Sequence, residues 1–155
     1  HMRDAVCYLH DATLDAMASG ATLEQIMQDI KLPAELQLHE TYGKVAWIVK
    51  TIWYEHVGWF QQDWTSDLYE APLSRVVPDL IELAGADTVV IRARRLLDDG
   101  KTLEALRLAE LTLAAVPTHD AARTIRDAAL QRQLQRAEAI KNINEIMWLK
   151  SVMAE

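Results

Sequence analysis

An all-α fold, a helical bundle or array, is what three observations predict. Apolar residues recur at three-and-four spacing, alternating apolar and polar runs are scarce, and only five Gly and four Pro interrupt 155 residues. Half of the chain is hydrophobic, enough to bury a core without disulfides or metal staples, so we expect one helical domain over 1–155. Its N-terminal helices and an aromatic loop should fill 3–72, and a tetratricopeptide-like helical part should fill 73–155. His1-Met2 reads as a cloning scar, so the natural chain is expected to extend upstream of Arg3.

Val6, Leu9, Thr13, Ala16 and Met17 line one face of a first helix, and Ser19-Gly20 can end it because Gly accepts a left-handed stop. Thr22 and Gln25 have capping-box spacing, and Leu23, Ile26, Met27 and Ile30 then form an apolar stripe that Leu32-Pro33 breaks. These two helices are expected to pair as a hairpin. The most apolar helix should run from about Thr41 to His56, with Val45, Ile48, Val49 and Ile52 on one side and Trp47 and Trp53 widening the stripe. That breadth predicts a mostly buried helix.

Gly58 to Pro72 is the longest candidate loop, and Pro72 and Pro78 frame the start of a helix that Ala84-Gly85 ends. Helices over 86–98 and 102–116 follow, separated by Gly100, and Thr118 can cap another that runs past Leu134. A final helix is expected over about Glu138 to Met153. Its Ile140, Ile143, Ile146, Met147, Leu149 and Val152, with Trp148 beside them, cover more than one side and call for cover from two directions, one of them another subunit.

Residues 86–119 match one tetratricopeptide unit: Ala93, Ala105 and Ala109 where two backbones approach closely, Gly100 at the turn, Pro117 at the end. A lone unit buries one face and lacks the roughly three repeats a peptide groove needs, so architecture is the simpler reading. A peptide adaptor would instead expose a groove around Arg92 and Arg95.

Sixteen Lys and Arg against 23 Asp and Glu give a net charge of −7 with no basic run, which disfavours nucleic acid as a partner. Cys7 is the only cysteine, so no intrachain disulfide forms and a reducing, cytoplasmic setting is expected. On an apolar helix it reads as a small core residue. No run approaches the roughly 18–20 apolar residues of a membrane span. His1, His10, His39, His56 and His119 form no HExxH or HxHxDH set, and no GxGxxG, GxxxxGK[ST] or GxSxG occurs. Glu35, His39 and Glu40 cluster in sequence, but carboxylates at a helix start are more often favourable charges there than acids and bases. We therefore expect no catalytic residue, no metal ligand and no cofactor site in this chain.

Eight of the ten aromatic residues fall between Tyr42 and Tyr69: Tyr42, Trp47, Trp53, Tyr54, Trp59, Phe60, Trp64 and Tyr69. Such a band suits a docking surface for another chain, an ordinary aromatic core, or a wall for an aliphatic substrate.

The run from Arg3 to Leu14, then Ile30-Lys31-Leu32-Pro33, Tyr42-Gly43-Lys44-Val45, Val57-Gly58-Trp59-Phe60 and Glu82-Leu83-Ala84-Gly85-Ala86-Asp87, followed by the hairpin to Pro117, resembles the dimerisation domain of alkyl sulfatases of the metallo-β-lactamase superfamily, in the same order. The resemblance covers nearly the whole chain. It implies a helical domain that crosses over its twofold mate, places both catalytic domains and contributes to the substrate entrance. Zinc is implied only in the absent catalytic domain, since the family's HxHxDH segment does not occur here. A homodimer is implied, with Tyr42, Trp47, Trp53, Trp59, Phe60, Trp64, Met147 and Trp148 as interface or substrate-entrance candidates, and an alkyl sulfate or ester as the parent's substrate. Members often carry a His-Asn pair just after the Tyr-Gly motif, where this chain has Trp47 and Ile48. That departure leaves a lactonase-like or other ester hydrolase open as the parent.

Overall fold

Gly20, at φ +82, follows the end of α1 (Met2–Ala18), and the reciprocal Thr22–Gln25 box starts α2 (Leu23–Asp29). The computed structural model describes residues 1–60 and 64–154, and every regular element among them is helical. The remaining α-helices are α3 (Val45–Val57), α4 (Val77–Ala84), α5 (Ala86–Asp98), α6 (Thr102–Ala115), α7 (Asp120–Ala139) and α8 (Ile143–Met153), with short 3-10 turns at Ala34–Leu36, Thr65–Leu68 and Leu73–Arg75. The predicted loop from Gly58 to Pro72 thus holds one turn of helix, and its residues 61–63 lie outside the described residues.

Three boundaries differ from expectation, each for a physical reason. α3 begins at Val45 because Glu40 Oε1 accepts the Val45 N–H at 2.8 Å, so the preceding residues serve as its cap. α7 is capped by His119, not Thr118. Its ring accepts the Ala122 N–H at 3.4 Å through Nδ1 and contacts Asp87 Oδ1 at 3.2 Å through Nε2, tying the start of α7 to α5. Glu138 belongs to the end of α7 and not to the last helix: the chain reverses at Lys141, at φ +57, and Asn142 caps α8 by accepting the Glu145 N–H. α1 and α2 touch each other across the Gly20 turn, and both pack chiefly on α3.

The helices form two bodies. In the first, Ala5, Leu9, Ile26, Leu32, Val49 and Ile52 are buried together, with Trp53, Ile48 and Met17 packed around them. In the second, α4 to α8 stack in the order of a tetratricopeptide array, each helix against the next, with α4 also on α6 and α5 also on α7. Its centre is made of small residues: Ala93, Ala105, Ala109, Ala122 and Ala129 have no solvent exposure, and Val90, Leu97 and Ile125 fill the gaps between these closely set backbones. Gly100, at φ +79, makes the turn between α5 and α6. Leu130, Leu134, Ala137 and Leu149 extend the packing to α8.

Two expectations of burial fail. Cys7 is exposed, because the face of α1 that meets α3 is set by Ala5, Leu9 and Thr13. α3 is not mostly buried: Val49 and Ile52 are enclosed, whereas Trp47 and Tyr54 remain 38% and 44% exposed.

Between the bodies the link is polar. Asn142, with no exposed surface, donates from Nδ2 to the carbonyls of Glu40 at 2.7 Å and Gly43 at 3.1 Å, while its Oδ1 caps α8. Beside it the Ile143 N–H donates to the Thr41 carbonyl at 2.7 Å, Asn144 donates to the Tyr42 carbonyl, and Lys44 pairs with the mostly buried Glu145 at 2.5 Å. Replacing Asn142 by Ala leaves two carbonyls and one amide without these partners, so we expect a loss of about 3 kcal/mol in urea unfolding. Asn144→Ala, at an exposed position, should cost under about 1 kcal/mol in the same measurement.

Candidate association interface

The Asn142 link sets the geometry of the aromatic residues. It holds the 40–44 loop against the start of α8, so Tyr42 and Trp47 sit beside the helix that carries Met147 and Trp148. Lys44 joins the two sides chemically: its Nζ pairs with Glu145 and lies 5.5 Å from the centre of the Trp47 ring. Tyr42, Met147 and Trp148 are 69%, 66% and 69% exposed. Large apolar groups in that number, rimmed by polar ones, characterise surfaces that meet another macromolecule.

The remaining candidates divide. Trp53 packs against the core of the first body and is partly buried. Trp59 and Phe60 touch each other beyond the end of α3, with ring centres 5.7 Å apart, and Trp59 is 79% exposed. Trp64 is also largely exposed, ahead of the turn at Thr65–Leu68. Tyr42 and Trp47 thus lie at the junction with the start of α8, the helix that also carries the exposed Met147 and Trp148, while Trp53 packs on the core of the first body and Trp59 and Trp64 lie on the connecting segment. An aromatic core accounts for Trp53 alone among the tryptophans.

Among the described residues no three His, Cys, Asp or Glu side chains are grouped to hold a metal ion. His10 and His56 make an edge contact with centres 5.5 Å apart, and His10 bonds Asp11 at 3.0 Å. Glu40 caps a helix, as its position suggests, and Glu145 is paired with Lys44. No described helix is long and apolar enough to cross a membrane. A cleft of about 350 Å³ between α5 and α7 is lined by Val90, Ile91, Arg94, Arg95, Ala121 and Ile125, where the adaptor reading placed a groove, although Arg92 is outside its lining.

Sequence reasoning missed two features. The Asn142 contacts span about a hundred positions, and an Asn in a run of polar residues carries no sign of them. The exposed Leu73, Val76, Leu80 and Leu83 were legible: α4 is apolar on two faces, and only the one with Val77 and Ile81 is buried.

The family model for alkyl sulfatase dimerisation matches residues 22–151. A linear primary-alkylsulfatase of a Pseudomonas strain is 36% identical over 96 residues, covering 59% of this chain and 18% of that protein. A second linear primary-alkylsulfatase from Pseudomonas sp. is 27% identical over 142 residues, covering 88% of this chain and 21% of the relative. The chain thus spans about a fifth of the length of these curated relatives. Among solved structures, the stereoselective inverting sec-alkylsulfatase Pisa1 from Pseudomonas sp. superposes with a TM-score of 0.80 over 97% of this chain and 24% of that one, at 24% identity, which shows a shared fold.

The division of the tryptophans is measurable. Trp53→Ala should cost about 2–3 kcal/mol of unfolding free energy through lost core packing. Trp148→Ala should change it by less than about 0.5 kcal/mol at protein concentrations too low for association.

Proposed function

We propose that this chain, which belongs to the alkyl sulfatase dimerisation family, joins two copies of a hydrolase of the metallo-β-lactamase superfamily into a homodimer through its aromatic surface. The observation that carries this reading is the exposure of Trp47, Trp59, Trp64, Met147 and Trp148, five large apolar side chains that a solitary copy leaves in water. Covering them with a mate removes that area from solvent, and a twofold arrangement does so for both copies at once. Tyr42, Trp47 and Trp59 then stand where the neighbouring catalytic portion of the parent protein would bring an aliphatic substrate, with Trp53 supporting them from within the core. Zinc would belong to that catalytic portion, because the described residues offer no donor set for it. An exposed lone thiol at Cys7 suits a reducing cytoplasm.

The parent is read as an alkyl sulfatase-like enzyme on the strength of its relatives. One observation favours a second reading of its substrate: Trp47 and Ile48 put apolar groups at positions just after the Tyr-Gly pair, which suits an ester or lactone better than a sulfate. Comparing sulfate-ester and carboxylic-ester hydrolysis by the parent protein separates the two.

Light scattering on the 155-residue chain at high micromolar concentration should give the mass of a dimer, and a monomer there overturns the reading. The double variant Trp47→Ala/Trp148→Ala should weaken association by roughly a hundredfold, as removal of two central aromatic anchors does at protein interfaces. In the parent protein, an unchanged KM for a long-chain substrate in Trp47→Ala would remove that residue from the entrance.

A further inference from the structure

The five histidines form no ligand motif in the sequence, yet folding brings two of them together from separate helices. His10 lies in the middle of α1 and His56 in the last turn of α3, with ring centres 5.5 Å apart and planes inclined at 62°. Both rings are open to solvent: the His10 side chain is 44% exposed, and His56 is exposed at the end of its helix.

The hydrogen bonds decide which nitrogen of each ring carries the proton. His10 Nδ1 lies 3.0 Å from Asp11 Oδ1, and His56 Nδ1 lies 2.9 Å from the Ile52 carbonyl oxygen. A carboxylate and a carbonyl only accept, so each Nδ1 is the N–H donor. In the neutral imidazole the lone pair then falls on Nε2 in both rings, and neither Nε2 has a partner among the described residues. Histidines that bind metal ions are set up in this way: the ligating nitrogen is bare, while the other donates to a carboxylate or a backbone carbonyl that fixes the ring and raises its basicity. Here His10 has the first kind of support and His56 the second.

Spacing and charge agree with that use. Two imidazoles on one tetrahedral ion, with metal–nitrogen bonds of about 2.0–2.1 Å, have ring centres roughly 5 Å apart. The Asp11 carboxylate lies beside the pair, and the C-terminal end of α3 adds the partial negative charge of its last carbonyls. Both favour a cation at this point.

We propose that His10 and His56 bind a late divalent transition-metal ion, in the range Ni²⁺ to Zn²⁺, through their Nε2 atoms, clamping α1 to α3. Among the described residues no group of three His, Cys, Asp or Glu side chains forms here, and two nitrogens are fewer than the three protein ligands of a catalytic zinc. Water completes the shell, and the ion's part is structural. Imidazole ligands place Cu²⁺ above Ni²⁺ and Zn²⁺ in affinity and discriminate against Mg²⁺ and Ca²⁺, which take oxygen donors. An ion that meets both helices only in the folded chain stabilises the first body.

The test is calorimetric titration of Cu²⁺, Ni²⁺ and Zn²⁺ into the chain, with His1→Ala throughout because a terminal amine and its own histidine ring chelate such ions by themselves. One ion per chain is expected, tightest for Cu²⁺, with a rise in the thermal midpoint on saturation. His10→Ala and His56→Ala, each shown to be folded by circular dichroism, should each abolish binding. Asp11→Ala should weaken it roughly tenfold, as loss of a supporting carboxylate does. Cys7→Ala, one helical turn before His10, should leave it unchanged. Electron paramagnetic resonance of the Cu²⁺ form should show two imidazole nitrogens. Binding that persists in either histidine variant, disappears in Cys7→Ala or is matched by Mg²⁺ overturns the assignment, and so does a single coordinated nitrogen or the absence of any binding at millimolar ion.

Discussion

Asn142 holds the two bodies of this protein in register. Helix packing between α1–α3 and α4–α8 is minimal, so their relative placement depends on a small polar cluster centred on the buried Asn142 amide, which bridges the 40–43 loop and the first turn of α8. The choice of amide is chemically specific. It offers two N–H donors to two carbonyls while its oxygen satisfies an open N–H at a helix start, which neither Asp nor Ser can do. Buried amides of this kind fix geometry more than they add stability, because their gain is offset by desolvation and only their loss is expensive. What they fix here is the approach of Tyr42 and Trp47 to the helix of Met147 and Trp148.

The regular parts of the fold were legible because they follow from local rules. The Thr22–Gln25 box, the Gly20 and Gly100 turns and the close contacts at Ala93, Ala105 and Ala109 all answer to constraints that lie within a few residues or within one hairpin. Non-local features were hidden. Residues 138–142 carry no Gly or Pro to mark where one of the last two helices stops; the Lys141 and Asn142 N–H groups bond back to the Glu138 and Ala137 carbonyls, and the Asn142 side chain ties the stop, with Lys141 at positive φ, to the 40–43 loop. His119 replaced the expected Thr118 cap because its ring can serve the helix start and Asp87 at once, a gain visible only when α5 is in place.

Burial was the least readable property. A broad apolar stripe on α3 predicts enclosure, yet Trp47 and Tyr54 are half open, and α4 keeps a complete second face in solvent. Periodicity reports how many sides of a helix avoid water, not whether the cover comes from the same polypeptide. The order of sequence segments pointed to a dimerisation domain, and the family match over residues 22–151 agrees. Which candidate side chains are on the surface was a matter for the structure: Trp53 turned inward, while its neighbours on α3 and α8 did not.

The slender polar bridge also shapes how the molecule comes apart. Each body has its own oily centre, and the small-residue stack of α5 to α7 is the tighter of the two, so solvent need not reach both at the same moment. Losing the few bonds around Asn142 would let the first three helices open as a cooperative unit while the stack stays closed, a partial opening that amide exchange would register as two protection classes. Local fraying of that sort would release the aromatic junction before the rest of the chain is disturbed.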